Sequence, residues 1–110
     1  MIQLPSVPWS VNRGLPAAFN TPTATVETYW AAYDARKPVV GVLPGAPVAP
    51  PPKGLPAGRP EWQWVERDLA TSRVIYERPG VPMRIVDDLE LRDGGWQIVR
   101  RSGQRAGAAR

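Results

Sequence analysis

Residues 83–101 read Met83-Arg-Ile-Val-Asp-Asp-Leu-Glu-Leu-Arg-Asp-Gly-Gly-Trp-Gln-Ile-Val-Arg-Arg101, and this stretch decides the fold. Apolar and polar residues alternate on both sides of Asp93-Gly94, the dipeptide that most often closes a tight antiparallel hairpin. If Asp93 and Gly94 form a two-residue type I′ turn, Leu91 faces Trp96, Leu89 faces Ile98 and Asp87 faces Arg100. One face of the hairpin is then apolar near the turn and ion-paired at its far end. Cross-strand pairs of this kind contribute roughly 0.2 to 1 kcal/mol each, so several together specify the register. A turn on Gly94-Gly95 would change the pairing and keep the same faces.

Upstream, Arg73 to Glu77, with Val74-Ile75-Tyr76 at its centre, reads as a strand stopped by the turn signal Pro79-Gly80. Glu61 to Arg67 is ambiguous in period. As a strand it puts Trp62 and Trp64 on one face, whereas Trp62, Val65 and Leu69 form a helical stripe. Tryptophan and valine favour pleated surfaces, so a strand is expected, with a helical turn open as an alternative at 67–70. The one helix lies earlier. Thr21 is positioned to cap it, Pro22 suits its first position, and Val26, Tyr29, Trp30 and Tyr33 recur along one face as a core stripe. Arg36 and Lys37 suit a helix C-terminus, and Pro38 closes the element.

Residues 38–60 contain eight prolines, including Pro50-Pro51-Pro52-Lys53. Such a stretch has too few backbone donors for helix or sheet and favours polyproline II, as a connector or a ligand for an aromatic groove. Residues 1–20 mix Ile2, Leu4 and Trp9 with Pro5, Pro8 and Pro16, which reads as an extended arm too apolar to be left in water. The C-terminal segment has no apolar periodicity. With Arg101, Arg105 and Arg110 it forms a basic terminus able to meet nucleic acid phosphate or an acidic protein surface, and alone it is expected to be mobile.

Composition narrows the chemistry. The 110 residues hold one domain with a modest core and include 14 prolines, 10 glycines, no cysteine and no histidine. The commonest general base, the commonest thiol nucleophile and the usual zinc ligands are all missing. Neither Gly-x-Ser-x-Gly nor Ser-x-x-Lys occurs, and the glycines of 41–45 and 54–58 lie in proline-rich sequence with no helix behind them to cradle a phosphate. Asp87, Asp88, Glu90 and Asp93 diverge along a strand rather than converging as a metal site would require. No enzyme activity, cofactor or metal is therefore expected. The net charge of +4 comes from basic residues that are mostly arginine, and after residue 60 the acidic residues nearly cancel the arginines there, so no unbroken basic stripe precedes the tail. The N-terminus lacks the pattern of a secretory signal, and no run is long enough to span a membrane.

The ending Asp-Gly-Gly-Trp-Gln-Ile-Val-Arg-Arg, residues 93–101, resembles the last strand of the small cone-shaped proteins of the nuclear-transport-factor-2-like group. That resemblance would imply a small-molecule pocket. The group builds its pocket from several N-terminal helices, however, where this chain has one helix and a proline-rich stretch. The fold class read from the residues is α+β, mainly β: a small antiparallel sheet, one aromatic-faced helix and long extended proline-rich segments. Its expected organisation is an arm at 1–20, a helix at 21–37, a connector at 38–60, an antiparallel β core at 61–101 and a basic tail at 102–110.

The expected function is that of a non-enzymatic structural or assembly protein in an oligomeric complex with other subunits. The specific form is a small bacteriophage head, neck or tail component, located in the virion and assembled in the host cytoplasm. A protein- or nucleic-acid-binding adaptor is the alternative, and a pocket protein of the cone-shaped type is third. Partner contacts are expected at Ile2, Leu4, Trp9, Pro50, Pro51, Pro52, Lys53, Arg101, Arg105 and Arg110, with nucleic acid reached through the tail and no membrane contact.

Overall fold

The computed structural model describes residues 15–105, the side chain of Arg105 excepted. A short 3-10 turn, Ala17–Phe19, leads into helix α1, Pro22–Asp34, and the rest of the regular structure is four strands: β1 (Glu61–Arg67), β2 (Thr71–Glu77), β3 (Met83–Arg92) and β4 (Gly95–Arg105). The strands form one antiparallel sheet in the order β1-β2-β3-β4, so the chain is α+β and mainly β. Helix α1 and residues 38–60 cover one face of it. The core between them is Val26, Tyr29 and Trp30 from α1 against Val74, Tyr76, Ile85, Leu89, Trp96 and Ile98 from the sheet.

The helix starts as expected. The Thr21 side chain accepts a hydrogen bond from the Ala24 N–H at 3.1 Å, and Pro22 follows it. It ends three residues before the expected limit of 37. Arg36 N–H donates to the Tyr33 carbonyl and Lys37 N–H to the Ala32 carbonyl, each at 2.9 Å, a double reversal that requires Arg36 to sit at φ 61°. Glycine is the usual occupant of that position, and its absence explains why the residues alone do not mark the stop.

The hairpin follows the expected register near its turn and departs from it further out. Arg92 pairs with Gly95, Leu91 with Trp96 and Leu89 with Ile98. The turn is not type I′, because neither Asp93 nor Gly94 takes positive φ; Gly95 does, at 122°. A Cβ on Gly95 would lie 2.5 Å from Phe19 Cβ and 2.7 Å from the Phe19 carbonyl oxygen, so the 3-10 turn packed on the hairpin leaves no room for a side chain there. Beyond Leu89 the ladder slips by a β-bulge at Val99. Asp88 then faces Arg100, and Asp87 faces Arg101 rather than Arg100. The slip brings Arg101, not its neighbour, to the core.

A second bulge in β1 corrects the reading of the tryptophans. Glu61–Arg67 is a strand, but Trp62 pairs with Tyr76 and Trp64 with Ile75, leaving Gln63 as the extra residue. Successive residues of β2 point to opposite faces, so the two indoles separate. Trp62 packs on Tyr76 with centroids 5.5 Å apart, and Trp64 stays 56% exposed on the other side.

The proline-rich segment has no regular structure apart from one bridge and lies against the chain's own core. Leu43 N–H donates to the Ile98 carbonyl at 3.0 Å and Ile98 N–H to the Gly41 carbonyl at 2.7 Å, closing the middle of the β4 edge in parallel fashion. Val39, Val42, Val48 and Leu55 pack on the core cluster. The surface on which the prolines lie is therefore intramolecular, because the apolar residues between them cover the part of the sheet's core face that one helix leaves open. The C-terminal segment is also corrected in part: Ser102–Arg105 continue β4 opposite Met83–Val86. Residues 1–14 of the expected arm and 106–110 of the tail lie outside the described residues.

Candidate interaction site

Trp30 organises the region from which a site can be built. The Arg78 guanidinium lies 4.4 Å from its ring centroid and 5.2 Å from that of Tyr33, while Arg101 lies 5.2 Å from Trp30 and 4.3 Å from Tyr29. Arg78 is fully buried and ion-paired to Asp34, which ties the end of α1 to the β2–β3 turn. That turn, Pro79-Gly80, places Gly80 at φ 85° with Val81 N–H bonded to the Arg78 carbonyl.

Below Trp30 lies a closed polar network. Trp30 Nε1–H donates to Tyr76 Oη at 2.8 Å, and Tyr76 O–H donates to Asp87 Oδ2 at 2.7 Å. Arg101 donates through Nε to Asp87 Oδ1 at 2.7 Å, and through Nη2 to Asp87 Oδ2 at 2.8 Å and Tyr76 Oη at 3.1 Å. The Asp87 side chain is 0% exposed and that of Arg101 is 13% exposed. Burial holds the Tyr76 phenol well above its ordinary range, with the Asp87 charge adding to the effect. Burial likewise raises Tyr29, although Arg101 opposes it. Burial works against the Arg101 charge, but the hydrogen bonds and charge of Asp87 outweigh it and raise its pKa. Each member stabilises the form its neighbours require, so the network clamps helix α1 to β2, β3 and β4.

Trp30 and Arg101 of this network line an apolar cleft of about 340 Å³. Pro50, Pro51 and Pro52 make one wall; Val81, Met83 and Ile85 make the other, with Gly103 leaving room on β4. The wall is held by Tyr33, whose O–H donates to the Pro52 carbonyl and whose oxygen accepts the Leu55 N–H, both at 2.8 Å. Asp34 Oδ2 adds a bond from Gly58 N–H at 3.2 Å. Met83, 42% exposed, forms the rim. The charged groups that line the cleft are already paired, Arg101 with Asp87 and Arg84 with Glu77.

A second apolar surface follows β1, the outermost strand. Trp64 and Val65, on opposite faces of it, are 56% and 46% exposed, and Leu69, in the turn between β1 and β2, is 59% exposed. An edge strand carrying exposed apolar side chains is a ready surface for another chain.

Of the residues singled out from sequence, Pro50, Pro51 and Pro52 line the cleft, and Lys53 is exposed at the turn it makes with Gly54. Arg101 lies inside, committed to Asp87 rather than displayed to a partner. Arg105 ends β4, and Ile2, Leu4, Trp9 and Arg110 lie outside the described residues. Sequence reasoning missed the Trp30-Tyr76-Asp87-Arg101 network and the Met83-Gly103 side of the cleft. The one signal pointing to the network was an aspartate at an inward position between Ile85 and Leu89.

Compared with known protein families, characterised proteins and solved structures, the chain matches none. Among the described residues no group of three or more acidic side chains is placed to hold a metal, and no helix is long and apolar enough to cross a membrane.

Proposed function

We propose that this chain is a non-enzymatic structural component of a larger protein assembly, and within that class a small bacteriophage virion component of the head, neck or tail, assembled in the host cytoplasm. The observation that carries the reading is the set of large apolar side chains left exposed at the β1 edge after folding: Trp64 and Val65 on its two faces and Leu69 in the turn that follows it, although the proline-rich segment already packs on the core. Partners that cover such surfaces are other folded subunits, and burial of apolar area drives their association. The virion assignment rests on architectural type: a compact β core with an apolar arm. Recognition of nucleic acid is the alternative: Arg59, Arg73, Arg84 and Arg92 are each ion-paired to carboxylates, while Arg36, Lys37, Lys53 and Arg100 are exposed outside those pairs.

The test is hydrogen exchange on β1 in the isolated chain and in the chain recovered from its native complex, with the solution mass of both. Protection of Glu61–Arg67 that appears only in the complex supports assembly. Recovery as a monomer, with β1 exchanging equally fast in both samples, ends the reading.

A further inference from the structure

A cluster of positive charge lies at the C-terminal end of helix α1. Arg36, Lys37 and Lys53 line one concavity of about 710 Å³ together with Tyr33, Leu55 and Ala57. Lys37 and Lys53 are the two lysines of the chain. All three cations are exposed, and the ion pairs among the described residues include none of them. Residues 35–60 contain no acidic residue. Asp34, the carboxylate on the lining, is already committed to the buried Arg78 guanidinium and to Gly58 N–H. The walls of the concavity therefore leave its positive charge uncompensated.

The arrangement is fixed from two sides. Tyr33 donates to the Pro52 carbonyl and accepts the Leu55 N–H, so the Lys53-Gly54 turn between those bonds is pinned to the end of the helix. Gly54 takes φ 81° within that turn, and the bond from Gly58 N–H to Asp34 holds the chain beyond it. Lys53 thus shares a concavity with Arg36 and Lys37 although the proline-rich run separates them in sequence. On the helix side, Arg36 sits at φ 61°, the one residue other than glycine at positive φ among the described residues. Glycine would fit that backbone with less strain, so a charged side chain stands where the local conformation favours none. Residues held in this way cluster at ligand clamps.

Charge balance selects the ligand. Three cations in one concavity repel one another, and a single carboxylate would leave most of that charge unmet. A phosphate monoester carries roughly two negative charges near neutral pH and three strong acceptor oxygens, and a diphosphate carries more. Arginine meets such an oxyanion with its planar fork and lysine as a point charge. The volume suits a compact molecule. A nucleic acid strand would need further cations along its path, but residues 38–52 carry no charged side chain and Arg59 is paired to Glu27.

We propose that this concavity binds a small phosphorylated molecule, its phosphate or diphosphate held by Arg36, Lys37 and Lys53 and its organic part lying against Leu55 and Ala57. The site shares no residue with the β1 edge and does not depend on the assembly reading.

Calorimetric titration of the full chain with inorganic pyrophosphate, a probe of the charged part, tests it. Wild type should bind one equivalent and melt at a higher temperature in its presence. Lys37→Gln and Lys53→Gln should each weaken binding by at least about fivefold. Arg36→Gly separates binding from folding: without pyrophosphate it should melt above wild type, yet bind at least about fivefold more weakly. Arg100→Gln removes the same charge from the exposed surface of β4 and should bind as wild type does.

Absence of saturable binding to wild type overturns the site, as does unchanged affinity in the three concavity variants. Equal weakening in Arg100→Gln also overturns it, because net charge would then account for the effect. A tetraglutamate peptide that binds more tightly than pyrophosphate would assign the cations to carboxylates. A single-stranded oligonucleotide that does so, and loses affinity in the same variants, would assign them to a nucleic acid backbone. Either result ends the small-molecule proposal.

Discussion

Removing Arg101 should unfold much of what this domain can hold, and removing Asp87 as well should restore most of it. Arg101→Leu deletes two hydrogen bonds to Asp87 and one to Tyr76 Oη, and the stacking of the guanidinium on Tyr29 and Trp30. It leaves a carboxylate with 0% exposure facing the Tyr76 hydroxyl. Breaking a buried pair from one side costs about 3 to 5 kcal/mol, because the partner charge remains without solvent or counter-ion. Small domains have about 5 to 15 kcal/mol in total, and each kcal/mol moves Tm by about 4 °C at this size, so a fall of roughly 12 to 20 °C is expected. Asp87→Leu alone strands the guanidinium and costs a comparable amount. The Asp87→Leu/Arg101→Leu double variant replaces the pair with apolar groups and should lie within about 2 kcal/mol of wild type, above either single variant. Urea unfolding with an unchanged m-value is the assay. If the two single losses simply add in the double variant, the reasoning fails, since the residues would then act independently.

Arg36→Gly should raise stability by up to about 1 kcal/mol in thermal unfolding, because the αL position at φ 61° disfavours any side chain; an unchanged or lower Tm would contradict the C-cap. Gly95→Ala should lower stability by at least about 1 to 3 kcal/mol, since the new methyl group collides with Phe19 backbone at a φ of 122°. Tyr33→Phe removes the bonds to Pro52 and Leu55 and should speed amide exchange selectively at Leu55 and its neighbours, at a cost of about 1 to 3 kcal/mol. Uniform exchange along the chain would show that the clamp is not local. At high pH, stability should fall as pH rises through about 10. The unfolded chain then releases phenolic protons that folded Tyr29 and Tyr76, raised by burial, still hold. Phenolate absorbance from these two should appear only together with unfolding, and its growth in a chain that is still folded would refute the burial argument.

The local pattern carried much of the fold. Thr21-Pro22 marks the helix start, the Val26-Tyr29-Trp30-Tyr33 stripe marks its buried face, and alternation about Asp93-Gly94 places Leu91 opposite Trp96 and Leu89 opposite Ile98. Each of these depends on residues within a few positions of one another, where period and capping chemistry act directly. Little of the candidate site was legible in this way. The prolines of its wall were visible as a run, but their location on the chain's own core depends on Tyr33 and Asp34 reaching across from the helix. The cleft opposite them depends on Met83 and Gly103, which alternation treats as ordinary strand residues.

What the sequence by itself determined was the set of elements, the inward face of the helix and the near-turn register of the hairpin. Tertiary structure alone decided the two bulges, and with them which tryptophan of β1 packs against the core and which arginine meets Asp87. The physical reason is that a bulge costs little locally and is selected by contacts made elsewhere. Arg101 is brought inward by a carboxylate on the adjacent strand and aromatic rings on the helix. At Gly95, Phe19 leaves no room for a side chain, and the φ of 122° is one that glycine alone adopts readily.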